Sequence, residues 1–343
     1  MTAPVELAPP SRTRATVLSL LQNVARVAAL AAVFLIFGAI VPGGAFFSPG
    51  NIENILMQSA VYTMAGLGMT MVIITGGIDL AAGSTIALSM VMTALALNYN
   101  HETLRDHPLM VTTLAIVIGT TIGAAVGLLQ GLIITGLRLV PFVVTLGGML
   151  AIRAFAKELA KDQEISPPPT WLYEKLMFPV QGRVFNWQIA PVGVWATLVA
   201  AILAAALLRY TRLGRHIFAI GSNESTARLC GVPVARTQVT VYLLAGLFAG
   251  LAGVLEFSKL NLGQPTGAVS YELYIIAACV IGGTSLRGGV GSIFGTVVGA
   301  LLIGVLNAGA QQAGWPKRRQ EMVIGLVIIV AVALDGLRSR KKA

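Results

Sequence analysis

The chain has 343 residues, 56% of them hydrophobic and only 11% charged, with a formal net charge of +10 and a mean hydropathy of +0.80. A soluble domain carries about 25% charged residues, so a core in water cannot absorb this much apolar surface and the surplus must face lipid. The positive balance does not point to nucleic acid: basic residues cluster in short loops and tails, as the positive-inside rule requires, and no basic patch is interleaved with aromatics.

Residues 1–22 are polar and rich in Pro and Ser and read as a cytoplasmic tail. Arg12, Arg14 and Arg26 precede an apolar run that mimics a signal peptide. That run continues to about Val41 without a small-x-small cleavage site, so it reads as a retained first helix. Apolar segments follow at 24–42, 54–75, 80–98, 109–135, 141–157, 189–208, 239–257, 271–283, 291–312 and 321–335. A crossing needs about 20 residues. The expected fold is all-α: a polytopic membrane bundle of about ten transmembrane helices over 23–337. The segment at 271–283 is too short alone, so it is broken, re-entrant or begins earlier.

With the N-terminus inside and ten crossings, Arg138, the loop at 209–238, Arg287 and the basic tail 338–343 all fall inside. Both termini are then cytoplasmic. The loops at 43–53 and 99–108 fall outside with few basic residues, whereas Lys317, Arg318 and Arg319 run against the rule. The one long outer loop, 158–188, holds Ser166–Trp171 (SPPPTW), Tyr173, Phe178 and Trp187. Its aromatics suit either the headgroup level or an external partner.

A repeat is visible. Thr75–Ser84 reads TGGIDLAAGS and Ile281–Ser292 reads IGGTSLRGGVGS. Each follows an apolar run opened by tyrosine (Tyr62; Tyr271 or Tyr274) and precedes another. Gly76, Gly77 and Asp79 thus match Gly282, Gly283 and Ser285, which suggests two related halves with a solute path between them. Asp79 and Ser285 read as helix N-caps, with gating as the other reading of these turns. Elsewhere the apolar runs are almost free of charge. Glu256, Lys259, Glu272 and Arg153 lie near helix ends, where they reach water. Gln58, Gln130, Thr145, Asn307 and Gln311 would suit a path for a neutral polar solute, or hydrogen bonds from helix to helix. Gly119, Gly123, Gly127 and Gly131 recur every four residues, and Gly246, Gly250 and Gly253 do much the same; this spacing lets helix backbones approach closely.

Several chemistries find no residues. No Gly is followed by Lys, so a phosphate-cradling G-x-x-x-x-G-K loop is missing and the chain is not expected to hydrolyse ATP. His101-Glu102 fails as a zinc motif because position 105 is Arg. Cys230 and Cys279, the only cysteines, imply neither a disulfide framework nor a metal site.

The stretch from Arg209 to Arg236 carries Arg209, Arg212, Arg215, Arg228 and Arg236 between two long apolar runs. Within it Ser222 or Asn223 caps a short helix, Glu224 favours its positive end, and Gly231 and Pro233 stop it. A short helix between two membrane helices is a lever for a cytoplasmic motor to push. The solvated-loop alternative stands beside it.

GGIDLAAGS at Gly76–Ser84, LGRHIFAIGSNESTARLCGV at Leu213–Val232 and the whole of Tyr271–Gly309 resemble the monosaccharide permeases of ATP-binding-cassette importers, the ribose and galactose permeases being the nearest kind. The resemblance implies a non-catalytic permease subunit in the bacterial inner membrane. It implies pairing with a second copy or a sister permease, and cytoplasmic ATPases that bind the ATP and Mg. It also implies a periplasmic binding protein that delivers the monosaccharide. Coupling to the ATPase would fall on Asn223, Glu224, Arg228 and Gly231. Lys157–Thr170 is more charged and proline-rich than the family's pattern. An ion-coupled carrier without an ATPase is the rival; an intramembrane enzyme would need a paired acid and base at one depth, which the sequence lacks.

Overall fold

The computed structural model describes residues 12–170, 172–177 and 190–340. The first half of the expected N-terminal tail, Trp171, Phe178, Trp187, Lys341 and Lys342 lie outside the described residues. Those described are helical, with no strand beyond one bridge between Ile165 and Gly263. The first helix, α1 (Arg12–Ile40), starts well before the apolar run. No Gly or Pro interrupts residues 12–37, so the helix runs back into the expected tail, while its apolar, membrane-length part begins at Asn23.

The next helices are α2 (Pro49–Ile74), α3 (Ala82–Tyr99), the short α4 (His101–Asp106), α5 (Pro108–Gly136) and α6 (Pro141–Ala160). Ser48 caps α2 by accepting from the Asn51 N–H at 3.4 Å, and Pro at the first position starts α2, α5 and α6. After the outer loop come α7 (Val192–Tyr210), α8 (Arg212–Ser222), α9 (Glu224–Leu229) and α10 (Val234–Leu260). The chain then forms α11 (Tyr271–Ile281), α12 (Ile293–Gln312) and α13 (Lys317–Arg340). A helix lies over each of the ten apolar segments. Among the described residues seven helices (α1, α2, α3, α5, α7, α10 and α12) are long and apolar enough to cross a membrane. The core is α2, α3 and α12, apolar all round and mostly buried.

The most extensive helix-to-helix packing joins α5 to α10. A Cβ added at Gly123 would lie 2.5 Å from the Gly246 carbonyl oxygen and 2.6 Å from the Gly250 Cα. One added at Gly127 would overlap the Tyr242 carbonyl. The glycine spacing in the sequence therefore marks a backbone-to-backbone seam. Ser89 pins α3 onto it: its Oγ lies 2.9 Å from the Gly119 carbonyl and 2.7 Å from the Gly250 carbonyl.

The α10 helix spans about 40 Å and so defines two ends. Beyond its C-terminus, Gly263 pairs with Ile165, and the Asn261 amide donates to the Pro167 carbonyl at 3.2 Å. Its first turns adjoin the 75–77 turn and the α5–α6 corner. The Gly289 N–H donates to the Ile74 carbonyl at that same end. Residues 264–288 thus run from one end of the bundle to the other, with only the stretch Tyr271–Ile281 helical. The non-helical carbonyls of Pro265 and Gly267 accept from the Arg153 guanidinium. Irregular backbone at this depth is tolerated where protein satisfies it.

Gly123→Ala forces α5 and α10 apart and should cost about 1–3 kcal/mol, lowering the unfolding temperature of the detergent-solubilised chain. Gly147→Ala, where an added Cβ meets nothing within 4 Å, should leave it unchanged by the same intrinsic-fluorescence measurement.

Candidate functional site

The basic loop folds into two helices, α8 and α9, where the sequence indicated one. Thr211 caps α8 by accepting from the Gly214 N–H at 3.2 Å. Asn223 caps α9 by accepting from the Thr226 N–H at 2.9 Å. Glu224 and Arg228, one turn apart, pair at 2.8 Å on the exposed face. Gly231 takes a left-handed φ of +81°, and the Val232 N–H closes back on the Ala227 carbonyl at 3.0 Å. Ala227, Ile220 and Val234 bury one another, which fixes α9 to its neighbours on both sides. Leu229 is 90% exposed at the tip. The sequence reading passed over it because a single leucine in a basic loop carries no periodic signal.

The far end of α8 is wedged into the two repeat turns. A Cβ at Gly221 would overlap the Ile74 carbonyl and lie 2.5 Å from the Gly289 nitrogen. The C-terminus of α2, the 282–292 turn and the end of α8 therefore meet at one point. The turns themselves are related but not identical. Gly76 (φ +83°) ends α2 and Gly283 (φ +88°) ends α11. The N–H groups of Gly77 and Thr284 close on Val72 and Cys279. Helix ends thus align Gly76 with Gly283, one residue off the pairing of Gly76 with Gly282. After them the pairing recovers: Asp79 accepts from the Ala81 N–H at 2.9 Å, and Ser285 accepts from the Arg287 N–H at 3.4 Å. Neither residue is a helix N-cap, because α3 and α12 begin later, after Ala81 and Ser292. Each instead closes a tight turn two residues ahead. Burial pushes the Asp79 carboxyl up to about 6, against the lowering effect of the Ala81 N–H.

A cavity of about 480 Å³ opens between α9, the start of α10, the 75–77 turn and the α5–α6 corner. Thr75, Arg138, Glu224, Arg228, Gln238 and Tyr242 line it. Of the residues suggested for a solute path, Gln58 and Asn307 meet at Tyr62: both amides lie 3.2 Å from its hydroxyl. Asn307 thereby joins α12 to α2, a bond from helix to helix. Gln130 stands apart next to Gly148, its amide nitrogen without a hydrogen bond among the described residues. Tyr62 packs edge-on against Tyr271 and Tyr274, with centroids 5.1 and 5.8 Å away. The Tyr271 hydroxyl is 3.0 Å from Glu256, which Lys259 also binds at 3.0 Å. Glu256 is 4% exposed, so it does not reach water as its place near a helix end suggested. The fold from α11 covers it instead. No group of three potential metal ligands occurs among the described residues.

The chain matches a family model described as "Branched-chain amino acid transport system / permease component" over residues 51–332. It is 37% identical over 290 residues to the ribose import permease protein RbsC of Escherichia coli (strain K12), covering 84% of this chain and 87% of that one. It is 38% identical over 294 residues to RbsC of Bacillus subtilis (strain 168), covering 86% and 87%. The galactose/methyl galactoside import permease protein MglC of Haemophilus influenzae is 36% identical over 305 residues, covering 87% and 89%. No solved structure matches.

Two substitutions test this geometry. Asp79→Asn keeps the acceptor for Ala81 but removes a charge that burial penalises. A carboxyl raised from 3.8 to about 6 stabilises most below pH 4 and loses that contribution as pH rises through about 6. The wild type should therefore lose up to about 3 kcal/mol between pH 4 and pH 8 that the Asn variant keeps, read as a difference in unfolding temperature. Gly221→Ala should unseat α8 at a cost of about 1–3 kcal/mol, read as faster proteolysis within 212–233.

Proposed function

The chain belongs to the branched-chain amino acid transport system / permease component family, and from that premise we propose that it forms the membrane path of an importer for a monosaccharide, driven by ATP hydrolysed in another chain. Relatives named for ribose and galactose, similar over most of their length, favour a sugar over the amino acids in the family's description. The observation that carries the driving mechanism is the capped lever α8–α9, seated on Gly221 between the two repeat turns and presenting Leu229 outward.

All ten apolar helices cross, in two related halves, and both termini face the cytoplasm of a cell bounded by this inner membrane. The 75–81, 137–140, 209–233 and 282–292 connections then share the cytoplasmic end. Support comes from their mutual contacts at the cavity and at Ile74. A cytoplasmic ATPase holding ATP and Mg grips α9 through Leu229 and the Glu224–Arg228 face. Asn223 and Gly231 keep that helix short and stiff. A second permease copy or a sister permease completes the path, and a periplasmic binding protein supplies the sugar at the far end. Nucleotide closure pulls the levers together. The junction at Gly221 passes that motion to α2 and to the α11–α12 turn, which reorients the bundles. The interior pairing of Glu256 with Lys259 at 3.0 Å supports this reading over an ion-coupled carrier, because it leaves that carboxylate occupied.

Proteoliposomes holding the chain with its co-encoded ATPase and binding protein should show ATP hydrolysis stimulated by sugar-loaded binding protein. Leu229→Asp, which removes a docked leucine and buries a charge, should weaken ATPase association by at least about tenfold in a pull-down titration. Uptake that continues without ATP and collapses with an uncoupler would overturn the proposal.

A further inference from the structure

Arg26 is the only charged residue in the apolar run 24–42. Its helix, α1, lies at the edge of the bundle, with little of its membrane-length part buried. An arginine near the end of such a helix ordinarily extends along the lipid face to the headgroups. Arg26 does the opposite. Nearby Val24 and Val27 are exposed, whereas Arg26 is half-buried and turns toward the bundle. A Cβ added at Gly283 would overlap its Nη2 and lie 2.9 Å from its Cζ. One added at Gly295 would lie 3.3 Å from its Nη1. That Nη1 donates to the Asn23 Oδ1 at 2.9 Å, one turn back on α1.

The two glycines stand at the two flanks of the 282–292 turn. Gly283 ends α11 with a φ of +88°, and Gly295 lies in the first turn of α12. A Cβ at Gly295 would also overlap the Gly282 carbonyl. The end of α11 and the start of α12 therefore touch backbone to backbone, and the guanidinium covers that contact. A cation suits the place, because the carbonyls at a helix C-terminus carry a partial negative charge. Between these flanks the turn carries Gly289, whose N–H donates to the Ile74 carbonyl and whose nitrogen abuts Gly221. Toward its other end α1 is fixed to α12 again. A Cβ at Gly309 would overlap the Phe37 ring, and Phe37 packs edge-on against Trp315 with centroids 5.9 Å apart.

We propose that Arg26 is a positioning residue for coupling. Its planar fork clasps the end of α11 to the start of α12, so that the 282–292 turn meets Ile74 and Gly221 as one rigid piece. The role in coupling rests on the importer reading above. A lysine keeps the positive charge but has no fork to span both flanks. Arg26→Lys therefore separates a clasp from a charge that serves only membrane topology.

The clasp is tested on the full chain in lipid nanodiscs by amide hydrogen exchange. Arg26→Ala and Arg26→Lys should both speed exchange over 284–292 by about tenfold. Acceleration confined to α1, or wild-type exchange over 284–292 in the lysine variant, overturns the proposal. Coupling is read in proteoliposomes holding the ATPase and the binding protein, each variant normalised to its own rate without binding protein. Stimulation of ATP hydrolysis by sugar-loaded binding protein should fall at least about threefold in both variants. Full stimulation in either variant overturns the coupling role. Failure of the importer reading looks different: the wild type then shows no stimulation at all, while hydrogen exchange still reports on the clasp.

Discussion

The architecture turns on one close approach: the α-carbon of Gly221 against the carbonyl of Ile74, which the Gly289 N–H also holds at 2.9 Å. Any side chain at position 221 would occupy the space of that carbonyl. Three segments far apart in the chain therefore share a single backbone contact: the end of α2, the turn before α12 and the last turn of α8. Backbone is the stiffest material a protein has, because its hydrogen bonds are short and its φ and ψ are held by neighbours. A displacement of α8 is passed to α2 and to the later turn without a flexible side chain in between. The same economy operates between α5 and α10, where glycine against glycine removes the compliant layer that leucines would supply.

Away from this junction the interior is held by a few polar attachments in an apolar setting. The hydroxyl of Ser89 reaches two helices, the Thr70 hydroxyl lies 2.6 Å from that of Thr296, and Tyr62 gathers two amides. In lipid, apolar faces gain little by meeting one another, so close packing and such bonds decide which helices are neighbours. Each such bond is worth about 0.6 kcal/mol on average, which is why geometry, set by small residues, carries more of the specificity.

Much of this was legible in the sequence for identifiable reasons. Helix positions followed from runs of apolar residues whose length is set by the bilayer. Close backbone approach on α5 and on α10 followed from glycines four residues apart, though not that the two helices meet, and a cap for α9 followed from Ser222 or Asn223 with Glu224 behind them. Other features depended on tertiary placement. Asp79 looked like a helix cap because an acid before an apolar run normally is one. Two further residues, Leu80 and Ala81, intervene before α3 begins, and only backbone geometry reveals them as a turn. Glu256 looked reachable by water because it lies near the end of α10; nothing local announces that Tyr271, fifteen residues on, folds over it. The short apolar stretch at 271–283 was too brief for a crossing by count. It spans the bundle only because an unwound segment precedes it, anchored by an arginine from α6.

That anchoring has an electrical corollary. The guanidinium of Arg153 is committed to the carbonyls of Pro265 and Gly267 and lies within the field of Glu272, while Lys259 and Glu256 neutralise each other. Lys259 thus moves with its anion, and Arg153 moves within the field of Glu272. Moving one net elementary charge across the membrane potential involves about 2.3 kcal/mol per 100 mV. A pair whose charges cancel involves almost none when it moves as a unit.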